Sequence, residues 1–174
     1  MRKLMKCLLA GAFFSFLLTW SGTGAAQQKG AGKPDTSKYG KYIVTDIITK
    51  IPEYGGPSML AYKGEMNTDI TMGYHYVTKP ILFGDTHFHE NHEILCFIGA
   101  NPQDITDFGA VVEMELGPEH EKHVITKTAC ISMPPNLQHC PLNIKKVNKP
   151  IMFLEISQTR SYKAIDIKKP EAKK

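Results

Sequence analysis

The stretch GDTHFHENHE, residues 84–93, places three of the chain's seven histidines and three acids within ten positions. Imidazole nitrogens and carboxylate oxygens at that density are ligands for a divalent first-row metal. Imidazole suits Zn, Cu, Fe and Ni, and a carboxylate extends the choice to Mn. His87 and His89 are two apart, so in a strand both side chains share one face. Glu93 has the same parity and can meet them across a short bend. A third imidazole, His139, stands in the Pro-rich stretch MPPNLQHCPLN, residues 133–143. The competing reading is a polar turn that happens to be rich in histidine. Glu90 and His92 belong to the same stretch and are candidates for acid/base work beside a metal. Their parity is opposite to that of the ligands, so they serve only if they turn inward. For His92, an outward or wall-packed ring is the alternative.

Such ligands need a scaffold, and the surrounding sequence reads as strands. Short β-type runs are separated by Gly, Pro, Asn and Asp: YIVTDIIT (43–50), SMLAY (58–62), ITMGYHYVT (70–78), ILFG (81–84), HEILCFIG (92–99), AVVEMELG (110–117), HVITKTACISM (123–133), LNIKK (142–146) and IMFLEIS (151–157). Their lengths and spacing predict an all-β sandwich or barrel. No convincing helical period exceeds about two turns after the first 26 residues. ANPQDITDFG (100–109) reads as a long ordered loop. Alternation sends Tyr74 and Tyr76 to one face and His75 to the other. With Tyr62, these rings either line a pocket or fill a core, and core packing is the commoner use of aromatics. His120 and His123 are three apart in β-type sequence. They miss the i, i+4 helical spacing of a zinc-protease motif and read as an exposed hairpin.

The two histidine segments resemble the two motifs of the cupin superfamily, G-x5-H-x-H-x3-4-E-x6-G and G-x5-P-x-G-x2-H-x3-N. His87, His89, the spacer ENH and Glu93 meet the first. Pro134, Asn136, His139 and Asn143 meet the second. The departures fall on turn glycines: Gly84 lies three residues before His87, Gly99 comes one residue early, and Thr128 and Asn136 stand where glycines are usual. Asn tolerates the left-handed conformation that such a turn position asks for. The resemblance implies a single antiparallel cupin β-barrel (a jelly roll) over residues 41–160. Its metal would be held by His87, His89, Glu93 and His139, with open coordination positions left for a ligand. It implies no organic cofactor, and a homodimer through an edge strand. It does not choose a reaction, because one fold hosts many functions.

Residues 1–26 read as a secretory signal peptide. Arg2, Lys3 and Lys6 precede the apolar run CLLAGAFFSFLLTW, and Gly24 and Ala26 are small residues at the cleavage site. The run is short for a membrane span, which needs about 20 residues. Periplasmic or secreted localisation follows as an expectation, with no stable membrane insertion once the signal is removed. Residues 27–40 read as a flexible lead-in and 161–174 as a Lys-rich solvated tail. Losing the three basic residues of the signal lowers the formal charge from +4 to +1 and leaves Arg160 as the sole arginine. That balance argues against a nucleic-acid partner. An oxidising compartment permits one disulfide among Cys96, Cys130 and Cys140. Cys130 and Cys140 flank the PPNLQ turn almost symmetrically and would face each other if the flanks formed a hairpin. Cys96 reads as plain core.

Two functions remain open. A small-molecule metalloenzyme of oxygenase, isomerase or lyase type would place an open coordination position in a pocket of ~300–1,000 Å³. A non-catalytic metal- or metabolite-binding module would fill its barrel up to the metal.

Overall fold

The computed structural model describes residues 37–45 and 47–167; the expected signal segment, most of the lead-in and the last seven residues lie outside them. Among the described residues, twelve strands follow in chain order: β1 (Ile48–Lys50), β2 (Gly55–Ala61), β3 (Thr71–Val77), β4 (Ile81–Phe83), β5 (His87–Phe88), β6 (Glu93–Gly99), β7 (Ala110–Leu116), β8 (Glu121–Ile125), β9 (Ala129–Met133), β10 (His139–Val147), β11 (Ile151–Ser157) and β12 (Ile165–Asp166). They form two sheets, β1-β2-β3-β11-β6-β9 and β12-β5-β10-β7-β8, with β4 also paired to β10. Every pairing is antiparallel. This is the expected all-β class, and the two sheets share one core as a jelly-roll barrel does.

Alternation explains the core. In β7, Ala110, Val112 and Met114 are buried while Glu113 and Glu115 point outward. In β11, Ile151, Phe153 and Ser157 are buried. The inner faces meet as Val77, Leu95, Phe97 and Phe153 from the first sheet against Val112, Met114, Leu142 and Ile144 from the second. Phe97 and Phe153 are register partners, and their rings stack 4.9 Å apart at 2°. His75 is buried on that inner side against Tyr54, while Tyr74 and Tyr76 stay half-buried on the other face.

Four expectations need correction. The run 123–133 is two strands, because the chain bends at 126–128 and changes sheets. Of 43–50, only Ile48–Lys50 pairs. The barrel does not stop at residue 160: β12 pairs Ile165 with Phe88 and Asp166 with His87, so part of the expected tail is structural. Cys130 and Cys140 do not face each other. The turn between them crosses from the first sheet to the second, and Cys130 instead pairs with Cys96. The three cysteines among the described residues, Cys96, Cys130 and Cys140, are free.

The β7–β8 hairpin holds His120 and His123 at the surface, each beside a glutamate, as its sequence suggested.

Candidate metal centre

The histidine-rich stretch is a crossing. It leaves the second sheet at β5 and enters the first at β6. The stretch 134–138 crosses the other way, from β9 to β10. Both crossings lie at the same end of the barrel, since His139 is the register partner of His87 and Met133 that of Glu93. Residues with ligand chemistry therefore meet where the two sheets part.

Asn136 adopts φ 67°, the left-handed conformation expected of it, and donates its N–H to the His89 carbonyl at 2.7 Å. The register then shifts between His139 and Leu142, a bulge. Such a bulge re-aims a side chain, and His139 ends up buried. Two more amides pin the first crossing: Gln158 donates to the His92 carbonyl and Ile167 to that of Thr86.

Ring nitrogens of His87, His89 and His139 lie within 4.8 Å of one another. Each ring uses Nδ1 on a backbone carbonyl: His87 on Asp85 at 3.0 Å, His89 on Lys163 at 2.7 Å, His139 on Leu137 at 2.9 Å. Such bonds fix the tautomer with the proton on Nδ1 and leave the Nε2 lone pair free, the usual arrangement around a metal-bound imidazole. The buried Nε2 atoms of His89 and His139 make no hydrogen bond. They stand 3.2 and 3.3 Å from Glu93 Oε2, close but misaligned, so the donors converge on a point rather than bond one another. Glu93 Oε1 accepts from Ser157 at 3.1 Å, which holds the carboxylate in place. Buried polar atoms left without partners are costly, and a cation among these four groups removes that cost. The residues fit the expected metal.

The electrostatics agree. Burial alone would raise the Glu93 pKa, but His139 and His89 beside it outweigh that and hold it at about 2. Burial would lower that of His89, yet Glu93 lifts it above the ordinary value. Burial chiefly pushes His87 down. In the metal-free protein, Glu93 stabilises above its ordinary 4.5, and that contribution fades as pH falls towards 2. His89 stabilises below 6.5, and its contribution is lost as pH rises through its raised value. Metal binding runs opposite to the His89 trend, because protons compete for the imidazoles. Chelated protein should therefore be most stable between about pH 4.5 and 6.5, and loaded protein above that window. Urea midpoints measured across pH, with and without chelator, check this.

Glu90 and His92 stand apart from the ligand cluster. His92 Nε2 bonds Ser132 Oγ at 2.7 Å, the outward placement that its parity indicated. Glu90 is exposed and lines a cleft of about 200 Å³ with Asn91, Gln158, Thr159, Ser161, Lys163 and Ile165. None of the four ligand residues lines that cleft, but Lys163 does, and its carbonyl holds His89. The His92→Ala variant should keep its full metal content by elemental analysis.

Sequence reasoning missed a polar wall beside the ligands. Tyr162, taken as tail, packs 5.1 Å from the His89 ring and 5.2 Å from Tyr62. Tyr62 donates to Glu155, whose other neighbour is His75 Nε2 at 3.7 Å. Gly73 leaves room for that contact, since a Cβ there would strike the Tyr62 hydroxyl. One signal was available: in IMFLEIS, Glu155 shares the inward parity of Phe153 and Ser157, an acid on a core face. Tyr162 had none, because short strands after a charged loop carry little pattern.

No family model and no curated protein matches the sequence. Solved structures do resemble it. KdgF from Halomonas sp. is 16% identical, with a TM-score of 0.41 over 64% of this chain and 84% of its own. The polyketide cyclase RemF from Streptomyces resistomycificus is 12% identical, with a TM-score of 0.47 over 71% of this chain and 81% of its own. A deletion mutant of Bacillus subtilis oxalate decarboxylase OxdC is 11% identical, with a TM-score of 0.44 over 64% of this chain, which spans only 28% of it. These are cupin-fold proteins, and the likeness is one of fold.

Proposed function

We propose that the chain is an exported member of the cupin superfamily whose His87, His89, Glu93 and His139 hold one divalent first-row metal. The carrying observation is the convergence of three carbonyl-locked imidazoles and one carboxylate, with two buried Nε2 atoms left without a hydrogen bond. We read the centre as catalytic, acting on a small oxygen-rich molecule such as a chelating oxyanion, enol or diol. When bound, the metal supplies Lewis acidity. The chain's own residues do the rest: Ser157 holds Glu93, Tyr162 walls the His89 side, and Tyr62 and Glu155 offer a hydroxyl and a carboxylate for proton handling.

The second reading, a non-catalytic metal or metabolite holder, is favoured by one fact. The cleft that shares Lys163 with the site, at about 200 Å³, is smaller than common ligand pockets of ~300 Å³ or more and is not lined by the four candidate ligands. Water exchange separates the two. Mn-loaded protein in ¹⁷O-enriched water should show at least one exchangeable metal-bound water by electron–nuclear double resonance. A fully protein-ligated metal would end the catalytic reading.

The homodimer also stands as a proposal. Among the described residues the strand β1 pairs on one side only, and Ile48 on it is 74% exposed. Tyr39, Tyr42 and Ile43, just before it, are more than half exposed too. Exposed apolar side chains at a sheet edge favour strand-to-strand association. Sedimentation equilibrium should give twice the chain mass, and the Ile48→Lys variant should give one. Among the described residues no helix is long and apolar enough to cross a membrane.

A further inference from the structure

We propose that Cys96 and Cys130 form a disulfide modification site, written onto the face of the barrel that the metal does not use. Cys96 on β6 and Cys130 on the edge strand β9 are direct register partners in an antiparallel pair. Residues so placed have Cα atoms about 4.5 or 5.5 Å apart, within the range of about 4.4–6.8 Å that a disulfide needs. Their side chains share a side of the sheet. Leu95 and Phe97, which flank Cys96, belong to the core, and so does Met133 three residues beyond Cys130. Burial, with the Cys130 thiol beside it, pushes the Cys96 thiol up to about 12. Cys130 is exposed and Cys96 is buried beneath it, so a reagent meets Cys130 first. Cys140 is buried in the other sheet and, among the described residues, has no cysteine opposite it.

The chemistry needs an oxidant, and a low-molecular-weight disulfide suffices. The Cys130 thiolate attacks one sulfur of that disulfide and forms a mixed disulfide, releasing one small thiol. The Cys96 sulfur, having given up its proton to solvent, then attacks the Cys130 sulfur and releases the second small thiol. Two protein thiols are oxidised by two electrons, and the small disulfide is reduced to two thiols. Because Cys96 holds its proton tightly, the second step should quicken as pH rises.

The bond would tie β9 to β6. Glu93 begins β6, and β9 ends at Met133, directly before the turn that delivers His139. It closes the loop containing the long 100–109 connection and the whole β7–β8 hairpin, so it removes conformations from the unfolded chain.

The test treats the native, metal-loaded chain with oxidised glutathione at pH 8, then alkylates and maps peptides by mass spectrometry. The expected product has lost two hydrogens, joins the Cys96 and Cys130 peptides, leaves Cys140 alkylatable only after denaturation, and melts about 5 °C or more higher. The Cys130→Ser variant should show none of these changes. A glutathione adduct persisting on Cys130, a Cys130–Cys130 link between two chains, or free thiols at both Cys96 and Cys130 would each overturn the proposal. Metal content is read in the same samples, so loss of the metal reading leaves this test intact.

Discussion

The His139→Ala variant should purify with less than about a tenth of the metal found in the unmutated chain, by inductively coupled plasma analysis. Three donors would remain, but His139 does two jobs. It supplies a buried Nε2, and it stands 3.3 Å from Glu93 Oε2 as one of the two imidazoles that hold that carboxylate in its charged form. Its loss removes a ligand and leaves Glu93 partly uncompensated inside the barrel. Leaving a buried charge without its partner costs about 3–5 kcal/mol. A metal present at a hundred times its dissociation constant adds about 2.7 kcal/mol of stability that the variant also forfeits. The two parts separate experimentally. Chelated wild type loses only the second, whereas the variant loses both. Equal metal content in variant and wild type would falsify the assignment. The His89→Ala variant should behave alike, with an added loss at the Lys163 carbonyl that its Nδ1 now occupies.

The Phe153→Ala variant should lose about 3–5 kcal/mol by urea denaturation, the usual cost of emptying a buried aromatic site. Phe153 is 1% exposed and stacks on Phe97, and its ring also meets His75 and Tyr54. Domains of this size have only about 5–15 kcal/mol in total, so the variant should be on the edge of unfolding at 37 °C. The effect should reach the site, since Phe153 fixes the inward register of β11, the strand carrying Glu155 and Ser157. The milder truncation Phe153→Leu, which keeps a branched apolar side chain in the site, should cost less than half as much. If the two changes cost the same, the stacked pair is not where the core derives its stability.

The cluster of candidate ligand residues was legible because their chemistry and their spacing coincide. His87, His89 and Glu93 share parity, and the prolines before His139 announce a turn. What was not legible is where the chain changes sheets. Periodicity reports which face a residue takes within its own strand, and nothing about which sheet that strand joins. This is why HVITKTACISM looked like one strand and why Cys130 and Cys140, symmetric about a turn, looked like hairpin partners. The same blindness hid Tyr162 and β12, which count only because β5 is there to receive them. Glu155 was readable in principle, as an acid at a core parity; the apolar strand around it drew attention to packing instead.

The stretch from Thr86 to His92 is gripped through its own carbonyls by three amides that come from three separate parts of the chain, Asn136, Gln158 and Ile167. A metal held by His87 and His89, as proposed, would stiffen the same stretch. Those three amides should therefore exchange their hydrogens with solvent together, slowly when the metal is present and faster when it is stripped, because local opening releases all of them at once. Deuterium uptake at three well-spaced peptides would then read the occupancy of one centre, with no knowledge of what the centre transforms.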